Sequence, residues 1–171
     1  DKGALKGPSL MLGGDKKAYK FVAKDLENVS AKRVDGRPCC AYLGNLGAGH
    51  FVKMIHNGIE YAEMQLIAEI FSLLMETFEG KINYVQKELE SWQKSSCESY
   101  LLAITSEILK YKDDNGFFIN KIIDSASTKG TGAWASERGI SMRYPNSLMI
   151  AALQSRFISN MKTKRENLSK I

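Results

Sequence analysis

From His50 to Phe78 this 171-residue chain contains no proline, and only Gly58 interrupts a run of good helix formers. Such a run predicts a single helix of about 30 residues, roughly 45 Å long at about 1.5 Å per residue. Helices of that length are unusual in small domains and belong to the core of a helical domain or to an interface. The run therefore sets the fold class as mainly α over most of the chain. Further helices are expected over 83–94, 98–112 and 118–124, with a turn at Asp113-Asp114-Asn115-Gly116. A last long helix is expected over 145–165, with Pro145 in its first turn. Its apolar face would be Leu148, Ala151, Ala152, Phe157 and Ile158, and its basic end Lys162-Thr163-Lys164-Arg165 suits a helix C-terminus.

The chain before residue 47 reads differently. Residues 2–8 have loop chemistry, and Ser9-Leu10-Met11-Leu12 is a short apolar run stopped by Gly13-Gly14, the pattern of a buried strand. Asp15 suits a helix N-cap, followed by a stripe of Ala18, Phe21, Val22 and Leu26. Strands are expected over 30–34 and 40–43, separated by the turn Asp35-Gly36. Strand, helix and strand in this order form the closing part of an α/β unit. Two regions follow: 1–46, the closing part of an α/β unit, and 47–171, a helical region.

With 44% hydrophobic and 25% charged residues the chain is not a disordered one. No apolar run approaches the roughly 18 residues of a membrane span. The net charge of +5 permits an anionic partner without choosing among nucleic acid, membrane and a small phosphorylated molecule. No long basic patch with interleaved aromatics argues for nucleic acid. Three cysteines, Cys39, Cys40 and Cys97, form neither a disulfide framework nor a zinc spacing, and are expected as reduced, mostly buried thiols.

The long helix carries chemistry-bearing residues at its start. Lys53 and Glu60 are seven apart and share nearly one line. His56 and Asn57 flank that line at i+3 and i+4 from Lys53, and Tyr61 follows Asn57 at i+4. Phe51, Val52, Ile55, Ile59 and Ala62 occupy the other side, expected to be core. A lysine and a glutamate on one helix face are ordinarily a solvated surface. Two features favour a cleft: the apolar neighbours, and Gly44-Asn45-Leu46-Gly47-Ala48-Gly49 leading into the helix, where glycines could bring backbone N–H groups to an anion or simply make a tight turn. In a partly dry cleft a lysine can act as a base and a glutamate as an acid. His50, His56 and Glu60 do not form a metal site, since the histidines are six apart and lack the HExxH spacing.

A second group lies further along. Thr128-Lys129-Gly130-Thr131-Gly132 precedes Ala133-Trp134 and reads as a compact anion cradle at a helix start or as a surface loop; it lacks the order of a Walker A motif. Arg156, mid-helix among apolar positions, calls for an anionic partner, either a phosphate or an internal carboxylate.

Four stretches together resemble the decarboxylating 6-phosphogluconate dehydrogenases. They are Gly7-Pro8-Ser9-Leu10-Met11 with Gly13-Gly14; Gly47-Ala48-Gly49-His50-Phe51-Val52-Lys53-Met54 through His56-Asn57-Gly58-Ile59-Glu60-Tyr61; Ile108-Leu109-Lys110 through Asp113 and Gly116; and Asp124-Ser125-Ala126 through Lys129-Gly130-Thr131-Gly132 and Trp134. The resemblance covers essentially the whole chain but only the middle of the family's sequence, so it implies an internal piece that is inactive alone. It further implies a helical domain after the end of a Rossmann-like one. The activity it implies is NADP-dependent oxidative decarboxylation of 6-phosphogluconate to ribulose 5-phosphate and CO2, by a cytoplasmic homodimer acting on neither nucleic acid nor membrane. On the matching positions Lys53 would be the proton acceptor and Glu60 the proton donor. His56, Asn57, Tyr61, Lys129, Thr131 and Arg156 would bind substrate.

The sequence also departs from the family. No GxGxxG follows a strand, the family's Ser-Gly-Gly loop would precede Asp1, and its C-terminal region that reaches into the partner subunit is not present. Ala133-Trp134-Ala135 stands where Lys-Trp-Thr is usual, and Ser141-Met142-Arg143-Tyr144 is unlike the usual connection. The alternatives are a non-catalytic helical dimerisation or scaffold module and a related β-hydroxyacid dehydrogenase. His56-Asn57, Glu60-Tyr61 and Lys129-Gly130-Thr131 favour the phosphogluconate enzyme over the latter.

Overall fold

The computed structural model describes residues 5–171. Of the loop expected over 2–8, residues 2–4 lie outside the described residues, and Leu5 and Lys6 are helical. The chain forms two compact units, Asp1–Asn57 and Gly58–Ile171.

The first unit contains β1 (Leu10–Gly13), α1 (Lys16–Val29), β2 (Cys40–Gly44) and the start of α2 (Ala48–Thr77). β1 and β2 pair in parallel, with Leu10 opposite Cys40 and Met11 opposite Ala41. Parallel neighbours need a long crossover, which the 14 residues of α1 supply. Asp15 caps α1 as expected, its carboxylate accepting the Ala18 N–H at 2.7 Å. The expected apolar stripe is rotated: Phe21 and Val22 are exposed, while Tyr19, Ala23 and Leu26 are half-buried and Tyr19 stacks on Tyr42 at 5.2 Å.

The strand expected over 30–34 does not form. Ser30 closes α1 by donating its N–H to Leu26 O, and Lys32 bends its ammonium back onto Ser30 O at 3.0 Å. Arg33 and Arg37 then pair across the turn, with Asp35 accepting from the Arg37 side chain at 2.6 and 2.8 Å. A local turn rich in side-chain bonds displaces the ladder, leaving one isolated bridge between Lys32 and Pro38. Of the glycines expected to lead into the long helix, Gly49 falls within its first turn and is buried against β1: a Cβ there would stand 2.3 Å from Met11 O. It serves close backbone packing; Gly47 has open space around it.

The second unit holds the rest of α2, then α3 (Ile82–Trp92), α4 (Tyr100–Lys110), a short hairpin of β3 (Lys112–Asp113) and β4 (Gly116–Phe117), a 3-10 turn (Phe118–Lys121), α5 (Thr131–Ser141), α6 (Ser147–Asn160) and α7 (Lys162–Leu168). Ile82, Val85, Leu89, Leu102 and Leu109 of α3 and α4 form its core, with Ile67, Ile70, Phe71 and Leu74 of α2 packed against them. Ser99 caps α4, accepting the Leu102 N–H at 3.0 Å. Gly58 does not break α2. A Cβ on it would meet Ala135 Cβ and Met149 Sδ at 2.8 Å, so it lets α5 and α6 approach closely, and the fully buried Ala135 fits that approach.

Several boundaries differ from expectation. The turn at 113–116 is a hairpin with Gly116 at φ 107°, and the helix expected over 118–124 is the shorter 3-10 turn. The last helix starts two residues after Pro145 and ends at Asn160; after Met161 a new helix begins. The basic run is therefore a helix start, and two of its charges meet Asp124, which accepts from Lys162 Nζ and Arg165 Nη1, both at 2.8 Å. On α6 the buried residues are Ala152 and Leu153, whereas Leu148, Ala151, Phe157 and Ile158 are exposed. Cys39 and Cys40 are half-buried but Cys97 is exposed, contrary to its expected burial. Burial pushes the Cys40 thiol up, and nearby Glu27 adds to the rise.

The hydrogen bonds from Arg165 and Lys162 hold the Asp124 carboxyl well below its ordinary value of 3.8. A lowered folded-state value contributes stability that is complete above the ordinary value and is lost as pH falls through the lowered one. Asp124→Asn should therefore be less stable than the parent at pH 7, and the gap should narrow as pH falls below about 4. Denaturant midpoints across pH 2–7 measure this; a gap constant with pH would show that the bracing is not ionic.

Candidate active site

Lys53, His56, Asn57, Glu60 and Tyr61 all lie on α2. In the first unit Lys53 is exposed, His56 and Asn57 are half-buried, and Lys53 Nζ stands 3.5 Å from His56 Nδ1. In the second unit Glu60 and Tyr61 are half-buried. The side expected to be core is only partly so. Ala62 is buried, Ile55 is half-buried, and Phe51, Val52 and Ile59 are exposed.

Within the second unit the fold joins α2 to residues far along the chain. The Tyr61 hydroxyl donates to Thr128 Oγ1 at 3.4 Å. The Arg156 guanidinium of α6 lies over the Tyr61 ring, 3.7 Å from its centroid. Arg156 Nη1 donates to Ser127 O at 2.8 Å and Nη2 to Met64 Sδ at 3.5 Å. The segment carrying Ser127 and Thr128 has no regular secondary structure and is laced to α6 by side chains. Ala126 N–H donates to Ser159 Oγ at 3.0 Å, and Asn160 Nδ2 donates to Ala126 O at 3.1 Å. Lys129 follows, exposed, and Gly130 at φ 93° turns the chain into α5, whose first residue is the half-buried Thr131. The N-cap of α5 is Gly130, which has no side chain, and Lys129 directly precedes it at the positive end of this helix.

Among the described residues neither Arg156 nor Lys129 pairs with a carboxylate. The internal ion pair open to Arg156 from sequence is therefore not made. Its neighbours are a carbonyl, a thioether and an aromatic face, which fix the guanidinium without neutralising it. Met64, Ser127 and Thr128 were not foreseen. Met64 sits one turn beyond Tyr61 on α2, a spacing visible in the sequence, but nothing local marks Ser127 or Thr128 as partners of residues 29 and 67 positions away.

Among the described residues no group of three His, Cys, Asp or Glu side chains could hold a metal, and no helix is long and apolar enough to cross a membrane. The junction from β1 into α1 does not fit the phosphates of a dinucleotide. Asp15 places a carboxylate on the N-terminus of α1, where such a fold would place the pyrophosphate.

Residues 49–171 match the family described as "6-phosphogluconate dehydrogenase, C-terminal domain". The chain belongs to the 6-phosphogluconate dehydrogenase family. Its relatives within that family include the decarboxylating 6-phosphogluconate dehydrogenases of Lactococcus lactis subsp. lactis (47% identical over 174 residues) and Escherichia coli K12 (44% over 176). Each match covers 100% of this chain, and the chain spans 37% of the length of each of these curated relatives. A solved Plasmodium falciparum 6-phosphogluconate dehydrogenase superposes with a TM-score of 0.90 at 38% identity, over 99% of this chain and 36% of that one. That protein is described in its apo form, with its cofactor NADP+ and with its substrate 6-phosphogluconate. The mainly helical architecture expected from the long proline-free run is thus the family's own.

Proposed function

We propose that the full-length enzyme containing this chain oxidises and decarboxylates 6-phosphogluconate to ribulose 5-phosphate and CO2 with NADP, as a cytoplasmic homodimer. In this reading residues 1–46 close a Rossmann-like cofactor domain and 47–171 open the helical substrate and dimerisation domain. The observation that carries it is Arg156. A guanidinium fixed by Ser127, Met64 and Tyr61, with no carboxylate paired to it among the described residues, and with Lys129 two residues after Ser127 at the start of α5, suits a doubly charged phosphate. The names of the relatives supply the substrate and cofactor class.

Lys53 takes the proton of the hydroxyl being oxidised, and as an ammonium it then polarises the keto oxygen so that the carboxylate leaves as CO2. The 3.5 Å approach of His56 steadies the Lys53 amine from within its own helix. Glu60, two turns on, donates the proton that converts the enediol to the ketose. His56 and Asn57 hold hydroxyls and carboxylate of the sugar acid, while Tyr61, Lys129, Thr131 and Arg156 hold its phosphate end. NADP, when bound, would accept the hydride, and the N-terminus of α1, already capped by Asp15, does not suit its phosphates.

The test compares 6-phosphogluconate with unphosphorylated gluconate. A charge-assisted hydrogen bond contributes about 1.5–3 kcal/mol, so Arg156→Ala in the full-length enzyme should raise KM for 6-phosphogluconate by about tenfold to a hundredfold. Its effect on the residual use of gluconate should be small. Equal losses for both substrates would sink the assignment of Arg156 to the phosphate.

A further inference from the structure

We infer that Gly132 is a positioning residue for the anion anchor, acting through the Tyr61 ring on Arg156, with Met64 as the second brace of the same guanidinium. This rests on the reading of Arg156 as the phosphate anchor and adds two residues to it. Gly132 is the second residue of α5 and is buried. A Cβ on it would stand 2.6 Å from Tyr61 Cε2 and 2.7 Å from Cδ2, closer than real Cβ atoms come to any neighbour. Its backbone carries no positive φ, so conformational freedom is not why glycine stands there. The space is taken by the tyrosine ring.

That ring in turn makes two contacts that fix the site. Its hydroxyl reaches Thr128 Oγ1, and its face carries the Arg156 guanidinium. Tyr61 projects from a long packed helix, so a methyl group at position 132 would displace its ring rather than α2. A shifted ring loses the stack under Arg156. Arg156 would then keep Ser127 O and Met64 Sδ as partners but not the platform that sets the plane of its donors. Planar, bidentate recognition of a phosphate depends on that plane. Met64 acts from the opposite end of the same guanidinium, since its thioether accepts from Nη2. Leucine at that position keeps the volume and removes the acceptor.

In the full-length enzyme, Gly132→Ala should raise KM for 6-phosphogluconate about tenfold, with kcat and KM for NADP within about threefold of the parent. Met64→Leu should act in the same direction by about threefold. The deciding measurement is the double variant with Arg156→Lys. If Gly132 acts through Arg156, adding Gly132→Ala to Arg156→Lys raises KM by less than it does in the parent. Additive losses would show an independent packing effect and overturn the proposal. So would a fall in kcat with KM unchanged. If Gly132→Ala does not fold, Met64→Leu alone and in combination with Arg156→Lys decides by the same comparison. Should Arg156→Ala leave KM unaltered, the anchor reading itself fails. A loss with Arg156→Ala but none with Gly132→Ala and Met64→Leu rejects the positioning roles alone.

Discussion

Lys53→Met in the full-length enzyme should lower kcat for 6-phosphogluconate by about a hundredfold to ten-thousandfold, the range for removing a positioned acid–base group. Substrate binding should survive. Methionine keeps the length and the apolar stem of lysine but cannot take a proton, and on the proposed reading the phosphate end is held by Tyr61, Lys129, Thr131 and Arg156 instead. The measurement is steady-state kinetics together with the thermal shift produced by 6-phosphogluconate. A variant that turns over normally at saturating substrate and loses only affinity would reject the proton-acceptor role. The neighbouring Glu60 offers an internal contrast. A proton donor acts after CO2 has left, so Glu60→Gln should still release CO2 in a single turnover more readily than Lys53→Met does.

Leu89→Ala should destabilise the chain by about 2–5 kcal/mol, a large part of the roughly 5–15 kcal/mol that holds a domain folded. Leu89 is fully buried and sits among Ile82, Val85, Leu102 and Leu109. Truncation removes its contacts and leaves a void that the packed residues of α2, α3 and α4 cannot readily close. Urea unfolding measures the effect. Leu73 of α2, 57% exposed, is the control: its alanine variant should shift stability by no more than about 0.5 kcal/mol. Equal effects at the two positions would mean that the α3–α4 core is not what holds the unit together.

These two predictions draw on different kinds of information. Lys53 was legible in the sequence because a helix is a local structure. Spacings of three, four and seven residues place Lys53, His56, Asn57 and Glu60 before any tertiary contact is known. The long helix, the Asp15 cap and the parallel strands around α1 were legible for the same reason: each follows from local propensity, capping or an apolar run. The local rules failed where long-range partners or side-chain bonds intervened. Residues 30–34 read as a strand, yet Ser30, Lys32 and Asp35 spend their polar groups on the backbone nearby and hold a turn. The basic run at 162–165 read as the end of a helix because Asp124, 38 residues earlier, is invisible to any window of sequence.

The sequence by itself determined a mainly helical chain with Lys53, His56, Asn57 and Glu60 at helical spacing on one long helix, because periodicity and propensity act over a few residues. Only the tertiary structure decided which groups surround Arg156. Sequence left it between an internal carboxylate and an outside anion. Folding brought it onto Tyr61, Met64 and Ser127, none of which carries a charge. Only the tertiary structure, too, gave Gly132 its meaning. A glycine near a helix start looks like turn chemistry, and its real constraint is a tyrosine ring 71 positions away that leaves no room for a methyl group. Steric exclusion between distant segments has no local signature; it exists only once the chain has folded.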